Sequence, residues 1–239
     1  MTIVIHETHA QASAVVSAEV MAAIQTRRDP VLGLPTGRTP VAVYDALALS
    51  PLDWSEVRTF NLDEFAGIPA TDPGSFRAFM EEHLFSRVPL RPDHIGFLRG
   101  DTGDDAAECA RYEHAISAVG GIDLLLLGLG TNGHIGFNEP GPSLRAPTHA
   151  VTLHQSTRAA NAHRFGGDPA RVPPRALTMG MRHVLGARRI VALVTGASKS
   201  AAVAAMVTGP LTTECPASWL QVHRAVMVVV DRAAAAQLG

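Results

Sequence analysis

Four short segments of this 239-residue chain carry side chains able to move protons or hold an anion. Asp63 and Glu64 lie in Asn61-Leu62-Asp63-Glu64-Phe65, and His134 and Glu139 share the glycine-rich run Gly128 to Pro140 with Asn132. A carboxylate in such a place can take a proton from a carbon beside a carbonyl, and an imidazole oriented by a carboxylate can pass protons between oxygens. Neighbouring side chains of an extended segment point in opposite directions, so only one of Asp63 and Glu64 faces a given site. The residues by themselves leave both Asp63 and Glu64 as candidates for the base, one of them in reserve. Gly128, Gly130, Gly133 and Gly136 permit close backbone approach to a ligand around His134. Each group also has a plain structural alternative: an aspartate that caps a turn, or one of 11 histidines that serves packing or the surface.

The other two segments suit an anion. Thr36, Gly37, Arg38 and Thr39 precede a helical stretch, offering hydroxyls and backbone N–H groups at a helix N-terminus. The same residues also fit a plain capped turn, with Thr39 as N-cap and Pro40 as first helical residue. The spacing is not that of a P-loop, which disfavours a nucleoside triphosphate. Lys199, the only lysine in the chain, stands after Thr195-Gly196-Ala197-Ser198 at a predicted helix start. A cation is out of place there unless an anion is also bound, and a compact ammonium is not imitated by arginine. A solvated surface lysine is the alternative.

Positioning these groups falls to apolar runs at Ile3 to Ile5, Val31 to Leu34, Val57 to Phe60, Ile122 to Leu127, Arg189 to Val194 and Ala225 to Val230, read as buried strands. Between them lie helical stretches: one with Val16, Val20 and Ile24 on a face, then Pro40 to Leu49, Asp104 to Val119 and Ser200 to Val207. Strand alternating with helix predicts an α/β fold, a doubly wound, mainly parallel sheet with helices on both faces. All four chemical segments directly follow strands, where such sheets bind ligands. A single domain over residues 1–239 is expected. Pro140 to Arg175 has no clear strand, which predicts a lid at about residues 144–178.

A net charge of −2 gives no electrostatic footprint for nucleic acid. Cys109 and Cys215 form no metal-ligand spacing and no disulfide framework, which fits a reducing cytoplasm. The N-terminus lacks a leader pattern, and no apolar run reaches the roughly 18 residues that span a bilayer. No membrane partner is expected, and the chain is a monomer or a homo-oligomer.

Taken together, Leu34-Pro35-Thr36-Gly37, Asn61-Leu62-Asp63-Glu64-Phe65, Gly133-His134-Ile135-Gly136-Phe137-Asn138-Glu139-Pro140 and Ala176-Leu177-Thr178-Met179-Gly180 resemble the glucosamine-6-phosphate deaminase family over almost the whole chain. The resemblance implies a Rossmann-like sheet and conversion of glucosamine 6-phosphate to fructose 6-phosphate and ammonia without an organic cofactor. It further implies that Asp63 moves the proton between C-2 and C-1, that His134 opens the sugar ring and that Glu139 orients His134. Thr36, Gly37, Thr39 and Lys199 would hold the phosphate, completed by a lid arginine. The chain departs from the family pattern in three places. Asn132 stands where some members have aspartate, which predicts a shifted pH profile. Arg38 replaces a small residue and either reaches the phosphate or points to solvent. Asn161-Ala162-His163-Arg164-Phe165 carries one extra residue before the arginine, so Arg164 is chosen, with His163 the neighbouring candidate. The chain ends soon after its last strand, from which little allosteric control is expected. Other readings are a 6-phosphogluconolactonase, a galactosamine-6-phosphate deaminase and a non-catalytic sugar-phosphate sensor.

Overall fold

The computed structural model describes residues 1–238. In its first half, β1 (Thr2–His6), α1 (His9–Thr26), β2 (Val31–Leu34), α2 (Val41–Ala48), β3 (Arg58–Asn61), β4 (Asp63–Phe65), α3 (Phe76–His83), β5 (Ile95–Gly96) and α4 (Asp105–Ala118) follow in order. The second half continues with β6 (Leu124–Leu127), β7 (His149–Thr152), α5 (Gln155–Asn161), β8 (Arg175–Thr178), α6 (Met181–Gly186), β9 (Arg189–Val194), α7 (Ser200–Thr208) and β10 (Val226–Asp231).

Seven strands form one sheet in the order β1-β10-β9-β6-β2-β3-β5, and every pairing in it is parallel. A parallel sheet covered on both faces requires strands that are apolar throughout. The fully buried Val31-Leu32-Gly33-Leu34 and Leu124-Leu125-Leu126-Leu127 meet that requirement. One face packs against Val16, Val20 and Ile24 of α1 together with Tyr44 and Leu47 of α2. The opposite face packs against Tyr112 and Ile116 of α4 with Val203 and Met206 of α7. Burying each such aliphatic side chain contributes about 1.5 to 3 kcal/mol.

Strand order reverses between β2 and β6: the chain runs outward through β3 and β5 on one side and through β9 and β10 on the other. The splayed loops at such a reversal leave a crevice beyond the carboxyl ends of the strands.

Three details differ from expectation. The stretch Pro140 to Arg175 is not strandless, since it contains β7, which pairs antiparallel with β8 in a second, three-stranded sheet of order β4-β8-β7. Four residues, of which two are half-buried, carry little local signal, and β7 is defined by its distant partner instead. The two-residue β5 at the sheet edge is equally invisible to pattern. Thr39 does not cap α2: Pro40 takes the N-cap position with no side-chain bond, which leaves the Thr39 hydroxyl available to the crevice.

Candidate active site

Two buried tyrosines fix the strand ends that build the crevice. The Tyr44 hydroxyl donates to the carbonyl of Pro35, just past β2, and the Tyr112 hydroxyl donates to that of Asn61, at the end of β3. Asn61 Nδ2 donates to the Leu34 carbonyl at 3.0 Å, tying the two ends together. Beyond them opens a cleft of about 250 Å³. Of the sequence candidates, Thr36, Gly37, Arg38, Thr39, Asp63, Asn132, His134 and Lys199 line it. Glu64, Glu139 and Arg164 do not border it directly.

Asp63 opens β4, opposite Thr178 of β8. Burial, and then the charge of Glu64, push its carboxyl up to about 8. Gly136 keeps the space in front of it open. At φ +55° a Cβ there would be strained, and it would lie 3.1 Å from Thr178 Oγ1 and 3.4 Å from Asp63 Oδ2.

Glu64 points the other way, as strand alternation demands. Its Oε1 accepts the N–H groups of Phe65 at 2.8 Å and Phe76 at 2.9 Å, and its Oε2 accepts that of Arg77 at 2.9 Å. It thus fastens β4 to the N-terminus of α3, where a carboxylate complements the helix dipole. Burial raises its carboxyl to about 7 against the pull of those N–H groups and of Arg164. Glu64 is therefore no reserve base for the cleft.

His134 rests on Gly130, where a Cβ would come within 2.5 Å of the imidazole ring. Its Nδ1 lies 3.4 Å from Glu139 Oε2. The same oxygen accepts Asn132 Nδ2 at 3.0 Å, while Asn132 Oδ1 accepts the backbone N–H of His134 at 3.2 Å. Burial alone would raise the Glu139 carboxyl. The close approach of the His134 imidazole, with help from Thr157 and Asn132, outweighs burial and holds it down at about 2. Glu139 is therefore ionised at neutral pH behind the imidazole, outside the cleft but against its wall. Asn132 acts as a donor to this carboxylate, a role that an ionised aspartate cannot fill.

Also lining the cleft, Lys199 Nζ donates to the Leu129 carbonyl at 2.6 Å. Burial, then the charge of Arg38, lower the basicity of its amine. Two cations share a cleft with the hydroxyls of Thr36 and Thr39, an arrangement in which a bound anion relieves their mutual repulsion.

A further wall of the cleft comes from α5 and the 3₁₀ turn Ala162–Phe165, through Ser156, Thr157, Ala160, Asn161 and His163. Sequence reasoning missed the first four. Their spacing of one, four and five places one helical stripe on the cleft, a signal legible only once a helix is assigned to a segment without apolar periodicity. Arg164, chosen as the lid cation, is turned away. Its Nε donates to the Gly74 carbonyl at 3.0 Å and its Nη2 to those of Ser75 at 2.8 Å and Pro73 at 3.2 Å. The guanidinium lies 5.1 Å from the Phe79 ring centroid and 5.8 Å from that of Phe76. Stacking on aromatic rings and the matching of its donor fork to three carbonyls account for this placement. His163 is the residue of that pair that borders the cleft.

A cationic, hydroxyl-rich cradle facing a buried carboxyl and an oriented imidazole at the reversal of a parallel sheet defines an acid–base enzyme of the α/β class. The chain belongs to the glucosamine-6-phosphate isomerases/6-phosphogluconolactonase family, whose model matches residues 6–229. Glucosamine-6-phosphate deaminase 2 of Bacillus subtilis (strain 168) is 44% identical over 243 residues, covering 100% of this chain and 98% of the relative. Glucosamine-6-phosphate deaminase 1 of Giardia intestinalis is 47% identical over 212 residues, covering 87% of this chain and 80% of that one. The solved structure of a monomeric glucosamine-6-phosphate deaminase superposes with a TM-score of 0.95 at 39% identity, covering 99% of each chain. The 6-phosphogluconolactonase of Trypanosoma brucei, at 20% identity and a TM-score of 0.78, shares the fold.

Proposed function

We propose that this enzyme isomerises and deaminates glucosamine 6-phosphate, releasing fructose 6-phosphate and ammonia. The observation that carries the reading is the common cleft of Asp63, His134 and the Thr36–Thr39 and Lys199 cradle. The phosphate sits in that cradle, held by the hydroxyls of Thr36 and Thr39, the N–H of Gly37, Lys199 and Arg38. Its binding supplies free energy that positions the reacting carbons. His134, oriented by Glu139, moves a proton between the ring oxygen and the C-1 hydroxyl and so opens the hemiacetal. Asp63 then takes the proton from C-2 and returns it at C-1 through an enolamine. Water adds to the resulting C-2 imine, and ammonia leaves.

In the free enzyme burial keeps Asp63 protonated near neutrality, which a base cannot be. The ammonium on C-2 of the sugar supplies the opposite charge that favours the carboxylate, so substrate binding arms the base. No metal or redox centre is required by these proton transfers. The buried free thiols of Cys109 and Cys215 fit a reducing compartment such as the cytoplasm.

The test is product analysis of purified enzyme given glucosamine 6-phosphate, galactosamine 6-phosphate or 6-phosphogluconolactone. Ammonia and fructose 6-phosphate in equal amounts from the first is the expected result. Release from the galactosamine epimer alone, lactone hydrolysis alone, or binding without turnover would each replace the reading with a different one.

A further inference from the structure

We propose that Asp231 is a positioning residue for the anion cradle: it fixes Lys199 through the peptide of Gly196, without touching the ligand; the proposal rests on the reading of the cleft given above. Lys199 ends the 3₁₀ turn Ala197–Lys199, which joins β9 to α7. A long, flexible ammonium side chain reaches one fixed point only if the backbone that carries it is fixed. The hydrogen bonds that fix this backbone meet at Gly196. Its carbonyl accepts the Lys199 N–H at 3.0 Å, and its own N–H donates to both carboxylate oxygens of Asp231, at 3.0 Å each. At φ +95° Gly196 holds a conformation that costs other residues strain, and apart from its chain neighbours no atom lies within 4 Å of where a Cβ would stand. Nothing packs against the turn on that side, so hydrogen bonds set its path.

Asp231 is placed to be that anchor by the sheet itself. It is the last residue of β10, whose Val230 pairs with Val194 at the end of β9, so the carboxylate stands beside the residues that follow β9. It is buried, and its Oδ1 also accepts the Ala234 N–H at 2.8 Å. The head of the turn is tied separately, since His9 Nδ1 lies 3.0 to 3.2 Å class distance, at 3.1 Å, from Thr195 Oγ1. Lys199 lines the cleft and Asp231 does not. The effect of Asp231 on an anion therefore passes through the turn and not through contact.

Asp231→Asn keeps the size of the side chain but replaces one oxygen facing the Gly196 N–H by a second donor. The experiment is a double-mutant cycle, with inorganic phosphate titrated calorimetrically into the wild type, Asp231→Asn, Lys199→Ala and the double variant. Asp231→Asn is expected to weaken phosphate about tenfold when Lys199 is present and less than about twofold when it is absent, because both changes then remove one shared interaction. A merely structural role would weaken phosphate equally in both backgrounds, and that result, or no weakening in either, overturns the proposal. The chain has a single lysine, so an isotope label at lysine Cε reports Lys199 alone. Its resonance is expected to shift in phosphate-free Asp231→Asn; an unmoved resonance also overturns the proposal. If Asp231→Asn does not fold, Gly196→Ala takes its place in the cycle, straining the same turn while leaving Asp231 and its bond to Ala234 intact. The same dependence on Lys199 is expected there, and its absence decides against the turn. A wild type that releases no ammonia from glucosamine 6-phosphate fails the functional reading separately, and the phosphate cycle still decides for Asp231. A wild type that binds no phosphate overturns both.

Discussion

Burial and the neighbouring Glu64 hold the Asp63 carboxyl near 8, whereas its ordinary value is 3.8. Folding therefore takes up a proton between those values, and this group lowers stability progressively as pH rises from about 4 to 8. Asp63→Asn removes the titration. At pH 8 the variant is expected to melt at least about 4 °C higher than the wild type, with the gain shrinking toward pH 5, and its turnover is expected to fall by about 10² to 10⁴. Calorimetry beside an ammonia assay checks both; a variant of unchanged melting temperature would mean that Asp63 is not held in its neutral form. Catalysis has the opposite sign, because the base acts only when ionised. In the free enzyme kcat/KM should therefore rise toward about pH 8 on its acid side. At Asn132 the expected substitution effect follows from the hydrogen bond to Glu139. Asn132→Asp replaces a donor by a second carboxylate, which favours the charged form of His134. The limb of the pH–rate profile that belongs to ring opening is expected to move to higher pH, and an unmoved profile would remove Asn132 from the site's electrostatics.

Elements hold these groups by contacts that local sequence reveals unevenly. The glycine run around His134 is legible because only glycine at residue 130 leaves room for the imidazole. The long strands are legible because burial on both faces makes them uniformly apolar. The small sheet is not, since Asp63 meets Thr178, and His149 meets Thr178 in turn, across more than a hundred and about thirty residues of chain respectively. For the same reason the destination of Arg164 could not be read. It follows from the aromatic cluster of Phe65, Phe76, Phe137 and Phe165, whose ring centroids stand 4.7 to 5.6 Å apart and join β4, α3, the His134 loop and the turn Ala162–Phe165. Arg164→Ala is expected to loosen the segment around α5 rather than to remove a ligand: amide exchange over residues 155–171 should quicken in the free enzyme, with stability reduced by about 1.5 to 3 kcal/mol. Unchanged exchange there would deny Arg164 its anchoring role. Lys199→Ala acts on the cradle itself and is expected to raise KM ten- to a hundredfold, with inorganic phosphate weakened in parallel.

At the scale of the whole molecule, one parallel sheet reverses its strand order once, and every group assigned a role lies at or beside the crevice that the reversal opens. The α/β architecture, the six long strands and the strand-end location of the site follow from apolar patterning. Which neighbours of those residues face inward depends on pairing and side-chain direction, and Glu64 and Arg164 turn away for that reason. The segment of α5 and the following turns should gain exchange protection when a sugar phosphate enters, because it supplies one wall of the cleft. The most direct measurement is release of ammonia and fructose 6-phosphate from glucosamine 6-phosphate by the wild type and by Asp63→Asn, with phosphate affinity measured on both. Stoichiometric products from the wild type, and their loss in a variant that still folds and binds phosphate, is the predicted result. Near-normal turnover by Asp63→Asn, or a wild type that binds the sugar phosphate and releases neither product, would contradict it.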